Sequence, residues 1–358
     1  MDSLVLEMTV NTKLVVTLQN IISVGAEYID VSANDNECIF STEYKGLIFA
    51  GKIPLTKRIS KCDLRIPSQI LKQITSDYSL VKFFIETEVI NVFLYKADIT
   101  LKPIKIEVRK SISNLWYANV YLTAFNNPDF GRNSILPKCM PALRYLSSIS
   151  TGLPTRNFLI TKGILFIDSP IIKFFANLNV EDLNITLPAD VMKYFFRDKN
   201  ITNSAHEIVD NYHVLKSDNF VYCWKAVRSI PVQEYEVLKS MKPELTCVGK
   251  IENATKFIRK LKIATNREQS CIIDFPKQLV TVQENNILVY DIPIEVKCSK
   301  ASDALVRTSL RELLAITKDI EMQNLIFNVH KKFMEIYIKK YVEGFGELEV
   351  SFVLKQTK

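Results

Sequence analysis

The chain has 358 residues, 47% hydrophobic and 24% charged, with a formal net charge of +7. That length exceeds one comfortable core and suits two or three domains, while only nine glycines argue against collagen-like, linker-like and glycine-loop nucleotide-binding chains. The cationic excess is modest and favours a polyanionic partner only if it is concentrated somewhere.

In chain order, one theme recurs. Thr12 to Gly25 places Leu14, Leu18, Ile21 and Ile22 at helical spacing. Short strands follow at Tyr28–Ser32, Glu37–Ser41 and Leu47–Ile53, broken by Asn34-Asp35-Asn36, a hairpin signal, and by Gly46. The pattern restarts at Ile66-Pro67-Ser68, with Ile70, Leu71 and Ile74 on a short helix and strands at Val81–Glu86, Ile90–Leu94 and Ile99–Leu101. The aromatic run Trp116 to Phe125 reads as a buried strand. A third helix, near Met140-Pro141, carries Leu143, Leu146 and Ile149, and a fourth opens at Leu187-Pro188-Ala189 with Met192, Phe195 and Phe196. A fifth begins at about Ile251 and a sixth near Val306, the last followed by strands at Leu325–His330, Phe333–Lys339 and Leu348–Leu354.

Six helix-led units are a repeat signature. Pairs of units sharing a core predict an α+β fold of three domains: residues 1–125, 126–240 and 241–358. The joins fall in Asn126 to Pro137 and Lys239 to Glu244.

Seven cysteines without a CxxC pair predict free thiols in a reducing cytoplasm. No stretch reads as a signal peptide or membrane span. His206, His213 and Cys223 match no compact metal site, Gly51-Lys52 lacks the preceding glycine of a phosphate loop, and three histidines leave little for a triad. No enzyme, cofactor or metal is expected.

On the predicted helices the cations lie opposite the apolar stripe. Lys256, Arg259, Lys260 and Arg267 share one side of the fifth; Arg307 and Arg311 oppose Leu313 on the sixth; Lys193 and Arg197 are one turn apart on the fourth. The first three offer Lys13, Lys72 and Arg144. A charged helix face is commonly just solvated, yet three successive helices of one polarity point to a shared anionic partner. Aromatics are not interleaved with these faces, which favours sequence-blind phosphate contact over base stacking.

This arrangement resembles the bacterial-type DNA polymerase sliding clamp, the beta clamp. The likeness runs over nearly the whole chain. It is strongest from Gly249-Lys250-Ile251 through Phe257-Ile258-Arg259 and Ala264-Thr265-Asn266, and again at Thr17-Leu18-Gln19-Asn20-Ile21-Ile22. The resemblance implies a clamp fold of three doubled domains and a head-to-tail homodimer closed around double-stranded DNA. DNA polymerase and a clamp loader are its implied partners. It also implies a dimer contact involving Ile99, Leu101 and Ile263, and a pocket for partner peptides at Leu159, Pro231, Val237, Phe352 and Leu354. The departures are the ending Phe352 to Lys358, a shorter strand region after Gly163 and a positive net charge; they suggest a divergent clamp, with a viral origin as one reading. The alternative is a monomeric, clamp-like DNA-binding or transcription-associated adaptor.

Overall fold

The computed structural model describes residues 4–23, 25–86, 88–97, 104–109, 117–149, 157–168, 173–180, 182–196, 201, 204–225, 233–250, 270–284, 287–299, 303–310, 312–313 and 325–356. It is an α+β chain built mostly of antiparallel strands, and its contacts divide it into two compact units.

The first unit comprises Met1–Pro137 and Asp198–Ala226. One sheet orders β1 (Leu4–Thr9), β4 (Tyr78–Ile85), β5 (Val89–Lys96) and β6 (Ile104–Arg109) as β1-β4-β5-β6. The other contains β2 (Tyr28–Tyr44), β3 (Leu47–Pro67), β11 (Ser204–Val209), β12 (Tyr212–Ser217) and β13 (Phe220–Lys225) in the order β11-β12-β13-β3-β2. β2 and β3 form one long hairpin. Its turn is Lys45-Gly46, both at positive φ (52° and 82°), as a tight two-residue hairpin turn requires. The expected break at Asn34–Asn36 is instead a bulge within β2, where pairing shifts on both sides of Asp35 and then resumes.

Helix α1 (Thr12–Ser23) starts where Asn11 Oδ1 accepts the Leu14 N–H at 2.9 Å, satisfying one of the free donors of the first turn. It buries Leu14, Leu18 and Ile21 against β3 and β2. A Cβ on Gly51 would overlap Thr17 Cγ2, so this glycine is what lets helix and strand approach. Of the Trp116–Phe125 run, Trp116 lies outside the described residues and the rest is no strand: α3 (Ala118–Asn126) follows Tyr117, and Tyr117, Val120, Tyr121 and Ala124 are buried at helical spacing. They pack on Ile48, Ala50, Val214, Val221 and Cys223. Phe49 and Gly51 lie on the α1 side, so alternation puts the two helices on opposite faces of the sheet.

The second unit comprises Lys138–Arg197 and Val227–Lys358. Its helices are α4 (Leu136–Ile149, which begins just before the division), α5 (Ala189–Tyr194) and α6 (Gln233–Ser240). The large sheet uses β7 (Asn157–Thr161), β8 (Ile164–Asp168), β9 (Lys173–Asn177), β10 (Ile185–Pro188), β14 (Leu245–Lys250), β18 (Glu295–Cys298), β20 (Leu325–Val329), β21 (Phe333–Val342) and β22 (Gly346–Lys355). Their order is β10-β7-β8-β9-β22-β21-β20-β14-β18. A smaller sheet orders β15 (Ser270–Asp274), β16 (Leu279–Glu284), β17 (Ile287–Pro293) and β19 (Leu305–Ser309) as β17-β16-β15-β19. The middle third of the chain thus gives β11–β13 to one unit and β7–β10 to the other.

Two expectations are corrected here. Val306 and Arg307 lie on strand β19, paired opposite Ile273 and Ile272, and helical geometry begins only at Leu310; alternation of Val306 and Thr308 into the core outweighs the helical spacing. Cys247 and Cys298 are not free thiols but a disulfide. They are 51 residues apart yet directly opposed across β14 and β18. Among the described residues no helix is long and apolar enough to cross a membrane.

Candidate functional site

The nine-stranded sheet is apolar on both faces around its middle. Phe158, Ile160, Leu165, Ile167, Phe174, Val350, Phe352 and Leu354 point one way and are 3% exposed or less. The residues between them point the other way. Register aligns Leu159 with Phe166 and Phe166 with Phe175 on that second face. There they join Ile164 and Val353 in one apolar cluster, covered by Tyr235 and Leu238 of α6. Ring centroids are 5.0 Å apart for Phe166–Phe175 and 5.3 Å for Phe175–Tyr235. The next residue toward solvent on α6, Val237, is 51% exposed.

Polar groups border this cluster. Asn328 Nδ2 donates to Glu335 at 2.8 Å and Ser351 Oγ donates to the other oxygen of the same carboxylate at 2.6 Å. Thr246 Oγ1 donates to Asn328 Oδ1 at 3.1 Å. Lys239 of α6 lies 5.0 Å from the Tyr235 ring centroid and 4.0 Å from Glu349. A hydrogen bond to Tyr235 and the nearby Glu349 hold its ammonium above the usual lysine range. The result is a buried apolar cluster sealed by α6, with charged groups at its margin and Val237 exposed beside it.

Of the residues expected in the partner pocket, Leu159 lies in this cluster and Val237 beside it on the exposed side of α6. Phe352 and Leu354 do not: they are fully buried on the other face, and Val353 between them is the residue that joins Leu159. Pro231 lies outside the described residues. The cluster also takes in Phe166, Phe175, Tyr235 and Leu238, which the sequence reading does not name. The signal was available, since Phe158-Leu159-Ile160 and Phe174-Phe175-Ala176 are unbroken apolar triplets in short strands, a pattern of strands covered on both faces.

The expected DNA-facing residues that are described fall on several elements of both units. Lys72, following α2 (Ser68–Leu71), and Lys193 on α5 are exposed; Arg144 on α4 is half-buried; Lys13 falls within α1; Arg307 is on β19. Arg197, Lys256, Arg259, Lys260, Arg267 and Arg311 lie outside the described residues, as do Ile99, Leu101 and Ile263.

His206 Nε2 and His213 Nδ1 are 3.0 Å apart, and His213 stacks on Trp224 with centroids 5.6 Å apart. Burial, with the neighbouring His213, holds His206 down to about 4, and burial lowers His213 as well. Cys223 cannot join them. It is on the opposite face of β13 from Trp224, buried under α3. Among the described residues no group of three metal-ligating side chains occurs.

No family model and no curated protein matches this sequence. Solved structures do. The DNA polymerase sliding clamp of Pseudomonas aeruginosa aligns over 99% of this chain and 100% of its own, with a TM-score of 0.69 at 12% identity. DNA polymerase III subunit beta of Borrelia burgdorferi gives 0.71 at 7% identity over 99% and 98%. The Thermotoga maritima beta subunit gives 0.66 at 8% over 99% of each chain. The chain has the fold of the sliding clamps.

Proposed function

We propose that this chain, a clamp in fold from end to end, is a non-catalytic processivity clamp that encircles duplex DNA and tethers a DNA polymerase and other partners. The observation that carries the reading is the likeness to clamps over essentially the whole length of both chains, rather than over a single repeat.

Three features support it. The small sheets end in strands whose outer edges have no partner among the described residues: β6, where Ile104 is 46% exposed, in one unit, and β17 and β19 in the other. Open edges invite pairing, and head-to-tail association of two copies would cover them while closing a ring. A short hydrophobic peptide displayed by a polymerase or loader would dock at α6, beside the exposed Val237 and over the buried cluster that the helix covers. The cations named above favour loose phosphate contact, so that a ring would be retained by topology rather than by affinity. In this reading the chain comprises three clamp domains, about 1–125, 126–240 and 241–358, and works in the cytoplasm.

Electron-microscope images of the purified protein test the reading. Particles with a central hole wide enough for duplex DNA are expected. Single open crescents at high concentration would overturn the ring and favour a monomeric adaptor.

A further inference from the structure

Five of the seven cysteines are in no disulfide, and four of those are buried; the remaining two, Cys247 and Cys298, are bonded to each other at the far end of the nine-stranded sheet. We propose that this pair is a reversible redox clasp: thiol–disulfide exchange at Cys247–Cys298 decides whether the end strand β18 is fastened to the sheet.

Strand β18 has four residues and one neighbour, β14. Its register runs Cys247↔Cys298, Val248↔Lys297, Gly249↔Val296 and Lys250↔Glu295, so the sulfur bridge lies at one end of a very short ladder. At the other side of that ladder the fit is close. A Cβ on Gly249 would lie 2.8 Å from Val296 Cγ1 and 2.9 Å from the Phe327 ring, so the glycine admits Val296 to the core. A strand this short on a sheet edge gains little from its own hydrogen bonds, and the covalent link supplies what the ladder lacks. The link also closes a loop of 51 residues that contains β15, β16 and β17, three of the four strands of the smaller sheet. One bond therefore governs both the edge of the large sheet and one tether of the small one.

The two sulfurs differ in access. Cys247 is fully buried and Cys298 half-buried, so an incoming thiolate meets Cys298 first. It attacks the Cys298 sulfur; the bridge breaks, Cys247 leaves as a thiolate and takes a proton. A second thiolate attacks the incoming sulfur of the mixed disulfide and releases Cys298. Two thiols lose two electrons and depart as their disulfide, while the protein gains two thiols. The reverse reaction closes the clasp at the expense of a small-molecule or protein disulfide. Because the leaving thiolate forms in apolar surroundings, reduction is slow until β18 opens.

The test uses the full chain. Purified without reductant, denatured and alkylated, the protein should take up five labels by intact mass, and seven after dithiothreitol. Seven labels before reduction would overturn the proposal. Hydrogen exchange then compares the oxidised protein, the reduced protein and the Cys247→Ala, Cys298→Val double variant under native conditions. Exchange in 245–250 and 295–299 should rise about tenfold or more in the latter two while 157–177 holds steady. Equal exchange in all forms would show an inert crosslink and end the switch. If the double variant does not fold, the reduced wild-type protein decides.

Discussion

Tyr117 donates its phenolic proton to Asp30 at 2.6 Å, joining the entry to α3 to strand β2 across 87 residues of sequence. The same carboxylate takes two bonds from Arg65, at 2.8 and 2.9 Å. Asp30 is 2% exposed, so these donors stand in for water at its carboxylate. Burial, and then the bond to Asp30, push the Tyr117 hydroxyl well above the usual tyrosine range. Tyr117→Phe should lower stability by about 2 kcal/mol. Asp30→Ala, which leaves a half-buried guanidinium alone, should cost about 3 kcal/mol. Urea unfolding followed at the first unit measures both, and equal, negligible losses would mean the network is replaced by water.

Gly51→Ala should destabilise the first unit by about 1–3 kcal/mol, because the new methyl meets Thr17 Cγ2. Thr17→Ser removes that methyl and should recover most of the loss. A double-mutant cycle without coupling would show that α1 moves away instead.

The His206–His213 pair predicts acid sensitivity. With Nε2 and Nδ1 3.0 Å apart, one ring donates to the other and both are neutral. The folded pKa values lie below the free value, about 4 for His206, so the unfolded chain binds protons first as pH falls. The pair's stabilisation is complete above about pH 6.5, is lost progressively toward pH 4 and amounts to roughly 3 kcal/mol from His206. His206→Gln should flatten thermal stability across that window, as read by midpoints at pH 7 and 5.

Alanine at Lys256, Arg259, Lys260 and Arg311 together should weaken binding to duplex DNA. It should also reduce the slope of log affinity against log salt, by about 0.9 for each phosphate that is no longer neutralised. Titrations at several salt concentrations on DNA of two unrelated sequences check this. An unchanged slope would place these side chains away from phosphate.

Tyr235→Ala with Leu238→Ala should uncover the second face of the large sheet and abolish capture of a short hydrophobic peptide while leaving the circular dichroism spectrum intact. Retained capture, measured by fluorescence anisotropy, would move the partner site off α6.

Much of this fold was legible from periodicity. Leu14, Leu18 and Ile21 declared α1, Phe195 and Phe196 closed the core beside α5, and the final strands were read to within a few residues. What failed has a common physical cause. Alternation tells that Phe352 and Val353 face opposite ways, but not which of two apolar faces α6 covers. Nor does spacing along a strand reveal what lies across from it, so Cys298 was invisible from Cys247. The Trp116–Phe125 run was misread because aromatic residues favour strands in isolation, whereas Tyr117, Val120, Tyr121 and Ala124 follow a helical stripe that one sheet face selects. Arg307 shows the reverse error, a helical spacing overridden by pairing with Ile272.

Strand β9 sits between β8 and β22, and its pairing with β22 joins residues 172 (Asn177 and Glu349) to 180 (Lys173 and Val353) positions apart in the chain. Contacts so distant form late, because the entropy of closing the intervening loop must be overcome before they give anything back. Until then Phe174 and Phe175 stand on an open edge. During synthesis that border stays open from the completion of β9 to that of β22, about half of the chain's production, and an exposed apolar edge of this kind is where a partly made chain aggregates.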